Sequence, residues 1–184
     1  MRLRRVLFFL AALMFGASAL AATELESIIS RSGKAAEEER QSRGWQESDV
    51  PLPAAPLANN MLPFYVSAAT SNRFFVDPAS LSVGSDGIVR YTLLVLTPEG
   101  GRNVGFEGMR CETKEWRIYA SGRLDGSWSK SRSNQWSRIQ DAASNRHHAA
   151  LFLDYFCPEG VIVRDVDEIL SALKRDAGLV GGSR

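Results

Sequence analysis

GFEGMRCETKEWRIYASG, Gly105 to Gly122, alternates its side chains with the two-residue period of a β-strand and contains one of the two cysteines of the chain. By this period Met109 and Cys111 share one side, whereas Trp116 falls on the opposite side. A bulge or break near Lys114 would reconcile the two halves, because an extra residue shifts the later side chains to the other face.

Short runs of β-branched and aromatic residues precede this stretch and are separated by turn residues. The runs are FYVS, RFFVD, SLSV, IVRYTLLVLT and RNVGFEGMRC, and the turns are Asp77-Pro78, Gly84-Ser85-Asp86-Gly87 and Pro98-Glu99-Gly100-Gly101. Asp125-Gly126 predicts one more hairpin downstream. The far end of IVRYTLLVLT is apolar on both faces, so we expect a central strand that is covered on both sides.

Helical periodicity appears after the strands and predicts two helices. The first has Asp141 as its N-cap, an apolar face of Ala149, Phe152, Leu153 and Phe156, and an end before Pro158. The second has Asp165 and Glu168 as a capping pair, a stripe of Val166, Ile169, Leu170 and Leu173, and an end at Gly178. The predicted fold class is therefore α+β, an antiparallel meander sheet of about five or six strands covered by two C-terminal helices.

The N-terminus has the three parts of a secretory signal peptide, which we assign to residues 1–22. Three arginines precede an apolar run, and Ala19-Leu20-Ala21 has the small-x-small pattern of a cleavage site. The run is shorter than the roughly 20 residues that a transmembrane helix needs. We expect export to the periplasm, cleavage near Ala21 or Ala22, and no stable membrane span afterwards.

The remaining chain divides by composition into three parts. Residues 23–58 combine a polar stretch with few apolar residues and the proline-rich VPLPAAPL, which predicts a mobile arm and a linker. Residues 59–177 form a single α+β domain, and residues 178–184 form a frayed tail.

The charge balance argues against a nucleic-acid partner. Loss of the leader lowers the 22 basic residues to 19, against 21 acidic residues, and phosphate binding usually needs a basic stripe. The arginines are scattered along the strands, Arg90 and Arg117 among them, and are expected on solvent faces.

Cys111 and Cys157 are the only cysteines, and in an oxidising compartment they leave one intramolecular pairing. We predict a disulfide that joins the meander to the end of the helix that covers it.

The only histidines, His147 and His148, are adjacent in sequence. Neighbours on a helix point about 100° apart, so the two rings cannot easily share an ion. The nearest carboxylate on the same face, Asp154, lies about 10.5 Å along the helix, so no metal site is predicted. We expect a helix surface with one ring against the sheet. No glycine-rich phosphate loop occurs, and no cofactor is predicted.

Trp116, Trp128 and Trp136 alternate with serines and arginines. They are candidate binding aromatics for a glycan, with core and cross-strand packing as the more frequent role of such side chains.

The strings FYVSAAT, RFFVD, VRYTL, RCET and HHAALFLDYFCP, together with both cysteines, closely resemble a proteobacterial family that is named after a cryptic neisserial protein. The resemblance covers about Trp45 to about Lys174. It implies an exported, periplasmic protein with no known activity, and it supplies no catalytic residues. In layout alone, the chain is also faintly similar to surface-adhesin E domains.

Two functions remain open. The first is a non-catalytic module of the cell envelope that binds an unknown envelope protein or glycan. The second is a small thiol- or hydrolase-type enzyme that uses Cys111 with His147 or His148. Two cysteines in an exported chain favour a bridge over a nucleophile, and therefore the first function.

Overall fold

A computed structural model of the chain describes residues 44–57, 59–143 and 145–181. The predicted signal peptide and most of the predicted arm lie outside the described residues. Within them, no helix has both the length and the apolar character that crossing a bilayer requires.

The described residues form one antiparallel sheet, as the meander pattern predicts. Its strands are β1 (Leu62–Phe64), β2 (Arg73–Val83), β3 (Ile88–Leu96), β4 (Arg102–Arg110), β5 (Glu115–Gly122), β6 (Trp128–Lys130) and β7 (Ser137–Arg138). Strands β1 to β6 pair in chain order, and β7 pairs with the start of β5. From β1 to β6, strands that are neighbours in sequence are thus neighbours in the sheet, and β7 is the exception.

The break near Lys114 is confirmed as the hairpin turn between β4 and β5. The Lys114 amide donates to the Cys111 carbonyl at 3.2 Å, and Lys114 has a positive φ of 55°. Met109 and Trp116 are paired across the two strands and therefore lie on one face.

Asp77-Pro78, predicted as a turn, instead lies inside β2. The pairing of β2 with β3 shifts register between Asp77 and Ser82, which accommodates a proline that cannot donate to the ladder. The Ser80 hydroxyl donates to the Asp77 carbonyl at 3.0 Å and accepts the Thr92 amide at 2.8 Å. At this bulge, the Ser80 hydroxyl therefore takes the place of a backbone carbonyl as the acceptor for the Thr92 amide.

The first helix differs from its prediction at its start and in its pitch. It begins as α1 (Arg146–Ala150), not after Asp141, and continues directly as a π-helical segment (Leu151–Phe156). The Cys157 amide donates to the Phe152 carbonyl at 2.9 Å, five residues back. This wider turn changes which side chains face the sheet, so Leu153 is 56 % exposed instead of buried.

A short 3₁₀ turn (Pro158–Gly160) leads to α2 (Val166–Gly181), which runs three residues past the predicted end at Gly178. The predicted cap is confirmed, because the Glu168 amide donates to the Asp165 carboxylate at 3.0 Å. Ile169 and Leu173 are fully buried, whereas Leu170 is half-buried. The helices pack on one face of the sheet and enclose the main core.

The opposite face of the sheet is partly covered by the segment 48–57. The Trp128 indole N–H donates to the Pro53 carbonyl at 2.8 Å, and the Trp128 ring packs on Phe106. Residues that were predicted as a linker therefore bind the sheet through their backbone.

Arg90 corrects the expectation that the strand arginines face solvent. It is 1 % exposed, and its guanidinium donates to the Asp86 carboxylate at 2.6 Å and to the Ser48 carbonyl at 3.1 Å. Burial opposes ionisation of Asp86, but the hydrogen bonds from Arg90 and the Ser48 amide outweigh it and lower the pKa to about 2. The pair joins segment 48–57 to the β2–β3 hairpin.

Candidate functional site

The two cysteines form the predicted disulfide. Cys111 lies in the β4–β5 turn and Cys157 follows the π-helical segment, with their Cα atoms 5.6 Å apart. Both residues are buried, and the described residues contain no free cysteine. The bridge connects the helical layer to the sheet, and it leaves Cys111 without a thiol for nucleophilic attack.

His148 is the centre of a buried polar cluster, which we call the His148 cluster and define as His148, Glu107, Tyr91 and Asn145. His148 Nε2 lies 2.9 Å from Glu107 Oε2, and Tyr91 donates its hydroxyl to the same oxygen at 2.9 Å. His148 Nδ1 lies 2.7 Å from the amide oxygen of Asn145. The register of β3 with β4 places Tyr91 directly opposite Glu107, beneath the first turn of α1.

Both ring nitrogens of His148 lie within hydrogen-bond distance of an oxygen atom, Nε2 of Glu107 Oε2 and Nδ1 of Asn145 Oδ1. Burial, followed by the charge of Glu107, raises the pKa of Tyr91 well above its usual value and keeps Tyr91 a donor. Each polar group that bonds to His148 or Glu107 therefore has a complementary partner.

His147 also packs against the sheet, contrary to the expectation that only one histidine ring would. Its ring stacks on Phe74 with the centroids 5.3 Å apart, and it lies 4.0 Å from the His148 ring. Burial, followed by the charge of His148, lowers the pKa of His147 to about 4. His147 is thus neutral at pH 7. On the other histidine, Trp116 stacks against the His148 ring with the ring centroids 3.7 Å apart.

The His148 cluster is closed to substrates in this structure. The side chains of His148 and Glu107 are 3 % and 6 % exposed. Among the described residues, no group of three histidine, cysteine or acidic side chains is arranged to hold a metal ion. The cluster connects α1 to the middle of the sheet in the same way that the disulfide connects the end of the helical layer.

Glu107 was missed in the sequence, although a signal for it exists. It shares the two-residue period of Met109 and Cys111, which places a carboxylate on the core-facing side of β4. A charged residue at such a position needs a buried partner, and the basic side chains of the helix above it are Arg146, His147 and His148.

The three candidate tryptophans do not share one surface. Trp116 lies on the helix-covered face beside His148, whereas Trp128 lies on the opposite face beside Phe106. Trp136 lies near Arg117, whose guanidinium carbon is 5.7 Å from the indole centre. All three are half-buried, and a role in binding remains a prediction for each of them.

An open cleft of about 610 Å³ lies where β1 and β2 meet α2, and we call it the β1–β2 cleft. Phe64 and Phe74 come from paired positions of the two strands and are 4 % and 7 % exposed, whereas Phe75 lines the cleft from the opposite face of β2. Ala177 of α2 also belongs to the lining. Tyr65 stands at the lip and is 55 % exposed. This cleft offers aromatic surface that solvent can reach.

Tyr155 lies beside the cleft and forms hydrogen bonds to residues on two of its sides. It donates its hydroxyl to the Asp176 carboxylate of α2 and accepts the backbone N–H of Tyr65, while its ring packs edge-on against Phe64 with the centroids 5.7 Å apart. Burial, followed by the hydrogen bond to Asp176, raises the pKa of Tyr155. Tyr155 therefore links α2 to the residue that follows β1, beside the cleft.

The loop between β1 and β2 supplies the polar part of the cleft. Ser67, Thr70 and Asn72 line this end, and Arg73 is the one charged side chain in the lining. The Arg73 guanidinium carbon lies 5.8 Å from the centre of the Phe75 ring. Within the described ranges, Arg73 forms no ion pair.

Comparisons with known proteins support the resemblance in the sequence. Neither a curated protein nor a solved structure matches the chain. A family model, that of the CNP1-like family, matches residues 40–174, which include both cysteines, both histidines and all seven strands. The chain therefore belongs to the CNP1-like family.

Proposed function

We propose that this protein is an exported, periplasmic and non-catalytic module of the cell envelope, and that it binds its ligand in the β1–β2 cleft. The observation that carries the proposal is the contrast between two places in the fold. Aromatic side chains line an open cleft, whereas Cys111 is bonded to Cys157 and His148 contacts Glu107 inside the core.

The enzymatic alternative needs Cys111 with His147 or His148. The sulfur of Cys111 is bonded to Cys157, and both ring nitrogens of His148 are occupied. A nucleophile requires a free thiolate with a base in reach, and the disulfide argues against a free thiolate at Cys111. Export is supported by the predicted leader, and the disulfide is compatible with an oxidising compartment.

A photo-crosslinking residue at the lip of the cleft tests this proposal. The probe p-benzoyl-phenylalanine replaces Tyr65 in one variant and Leu124, which is 91 % exposed and outside the cleft, in a control variant. Both variants are expressed in living cells with the native N-terminal segment and irradiated. We expect a discrete adduct at position 65 and none at position 124. No adduct at position 65, or equal adducts at both positions, would contradict the proposal.

A further inference from the structure

We infer that the ligand of the β1–β2 cleft is a straight-chain fatty acid, with its hydrocarbon chain on the aromatic wall and its carboxylate at Arg73. The inference rests on the proposed binding function and specifies the ligand. It follows from the distribution of apolar and charged groups in the cleft, from the proline in the edge strand and from the cleft volume.

The cleft combines apolar and charged side chains. Pro63 and Phe75 occupy paired positions of β1 and β2 and present carbon surface, and Ala177 of α2 also lines the cleft. The side chains of Pro63 and Phe75 offer no hydrogen-bonding group. Burial of apolar area there is favourable by roughly 25 cal/mol per Å², which suits a ligand body without polar groups.

The charge of the cleft lies at its loop end. Arg73 is exposed on the first position of β2, and Thr70 and Asn72 lie beside it in sequence and in the lining. A guanidinium with no ion pair among the described residues attracts an anion, and its planar fork fits a carboxylate. Ser67 and Thr70 place hydroxyl donors at the same end. One carboxylate on an apolar body therefore complements the cleft in both polarity and charge.

An extended peptide is a poorer fit for this edge of the sheet. Adding a strand to β1 would require its outward backbone groups to pair, and Pro63 stands in the middle of this three-residue strand. Because proline has no N–H, it removes a donor from the free edge and blocks regular pairing. A ligand of this cleft would therefore be recognised by side chains and not by strand pairing, as is usual for a small molecule. The volume of about 610 Å³ falls within the usual range of about 300–1,000 Å³ for such sites.

The test compares decanoate with decan-1-ol, which shares its chain length and lacks the negative charge. Both are titrated, below the concentration at which decanoate forms micelles, into the purified protein and followed by the amide NMR signals of Asn72 and Ala177. We expect saturable shifts at both amides, with tighter binding of decanoate. Arg73→Gln should weaken decanoate binding about two- to five-fold and leave decan-1-ol binding unchanged.

Two control variants separate the cleft from general effects. Arg132→Gln removes an exposed arginine outside the cleft and should leave both dissociation constants unchanged. Ala177→Trp adds an indole inside the cleft and should abolish saturable binding of both compounds. Arg73 is exposed, so Arg73→Gln remains informative if Ala177→Trp reduces stability.

Each unfavourable outcome has a defined meaning. Equal affinities for decanoate and decan-1-ol, or equal losses in Arg73→Gln and Arg132→Gln, would overturn the fatty-acid inference. Shifts that grow with protein concentration in the absence of ligand would identify a second copy of the chain as the occupant and also overturn it. Photo-adducts at position 65 without binding of decanoate would refute the fatty acid and leave the binding function standing, whereas absence of both would refute both.

Discussion

At the scale of single residues, the buried contact between Glu107 and His148 connects α1 to the sheet. Glu107→Gln keeps the shape of the side chain but replaces the carboxylate that contacts both His148 Nε2 and the Tyr91 hydroxyl with an amide. We expect the free energy of unfolding at neutral pH to fall by about 2 kcal/mol, because a buried polar group that loses its partner keeps the full cost of its desolvation. Chemical denaturation of the parent and the variant measures the difference.

A surface glutamate provides the control for this prediction. Glu112 is 67 % exposed and paired with Arg110, so Glu112→Gln should change stability by less than about 0.5 kcal/mol. In a double-mutant cycle, His148→Gln should cost less in the Glu107→Gln background than in the parent. Equal effects of the Glu107 and Glu112 variants would show that the buried contact has no structural importance.

His147 makes stability depend on pH. Its folded-state pKa of about 4 lies below the unfolded value of 6.5, so the unfolded chain binds more protons between these values. The contribution of the neutral ring is complete above about pH 6.5 and is lost as the pH falls towards 4. His147→Phe keeps a ring against Phe74 without a titrating group. The melting temperature of this variant should fall less than that of the parent between about pH 7 and about pH 4.5. An equal fall in both proteins would refute the lowered pKa of His147.

At the scale of elements, the disulfide joins the β4–β5 turn to the end of the helical layer across 46 residues of sequence. Closing a loop of this length stabilises the fold by about 4 kcal/mol in the chain-entropy model. Reduction should therefore lower the free energy of unfolding by about that amount, measured by denaturation with and without reductant. The variant that combines Cys111→Ala with Cys157→Ala should not respond to reductant, and an equal response would reveal a separate effect of the reagent.

The last helix depends on its fully buried positions. Leu173→Asp places an uncompensated charge in the core and should cost more than about 3 kcal/mol, if the variant folds at all. Lys174→Asp changes the adjacent exposed position and should stay within about 1 kcal/mol of the parent. Thermal unfolding compares the two. Similar melting temperatures would mean that α2 does not pack through this face.

Hydrophobic patterns with periods of two and of 3.6 residues predicted most of the strands and helices correctly. The meander, the Lys114 break and the Asp165 cap were confirmed because each depends on neighbours in sequence. The π-helical segment was not predicted, since a change of pitch leaves no compositional sign, and Leu153 was therefore placed on the wrong face. Glu107 was missed because its partner His148 is distant in sequence.

At the scale of the whole molecule, the sheet has cover on both faces. Helices cover one face, and on the other the segment 48–57 is held by the Arg90–Asp86 pair and by Trp128. The proline-rich segment has no hydrophobic period, so its docking could not be predicted from its own sequence. The β1–β2 cleft was also not predicted, because it exists only where two strands, their loop and α2 meet.

The central claim is that this protein works through the β1–β2 cleft and uses the His148 cluster only for stability. The most direct measurement is the yield of photo-adduct at position 65 in three backgrounds: the parent, Ala177→Trp and His148→Gln, each normalised to folded protein by circular dichroism. We expect the adduct to disappear when Ala177→Trp fills the cleft and to persist in folded His148→Gln. An adduct that survives in Ala177→Trp but is lost in His148→Gln would contradict the claim.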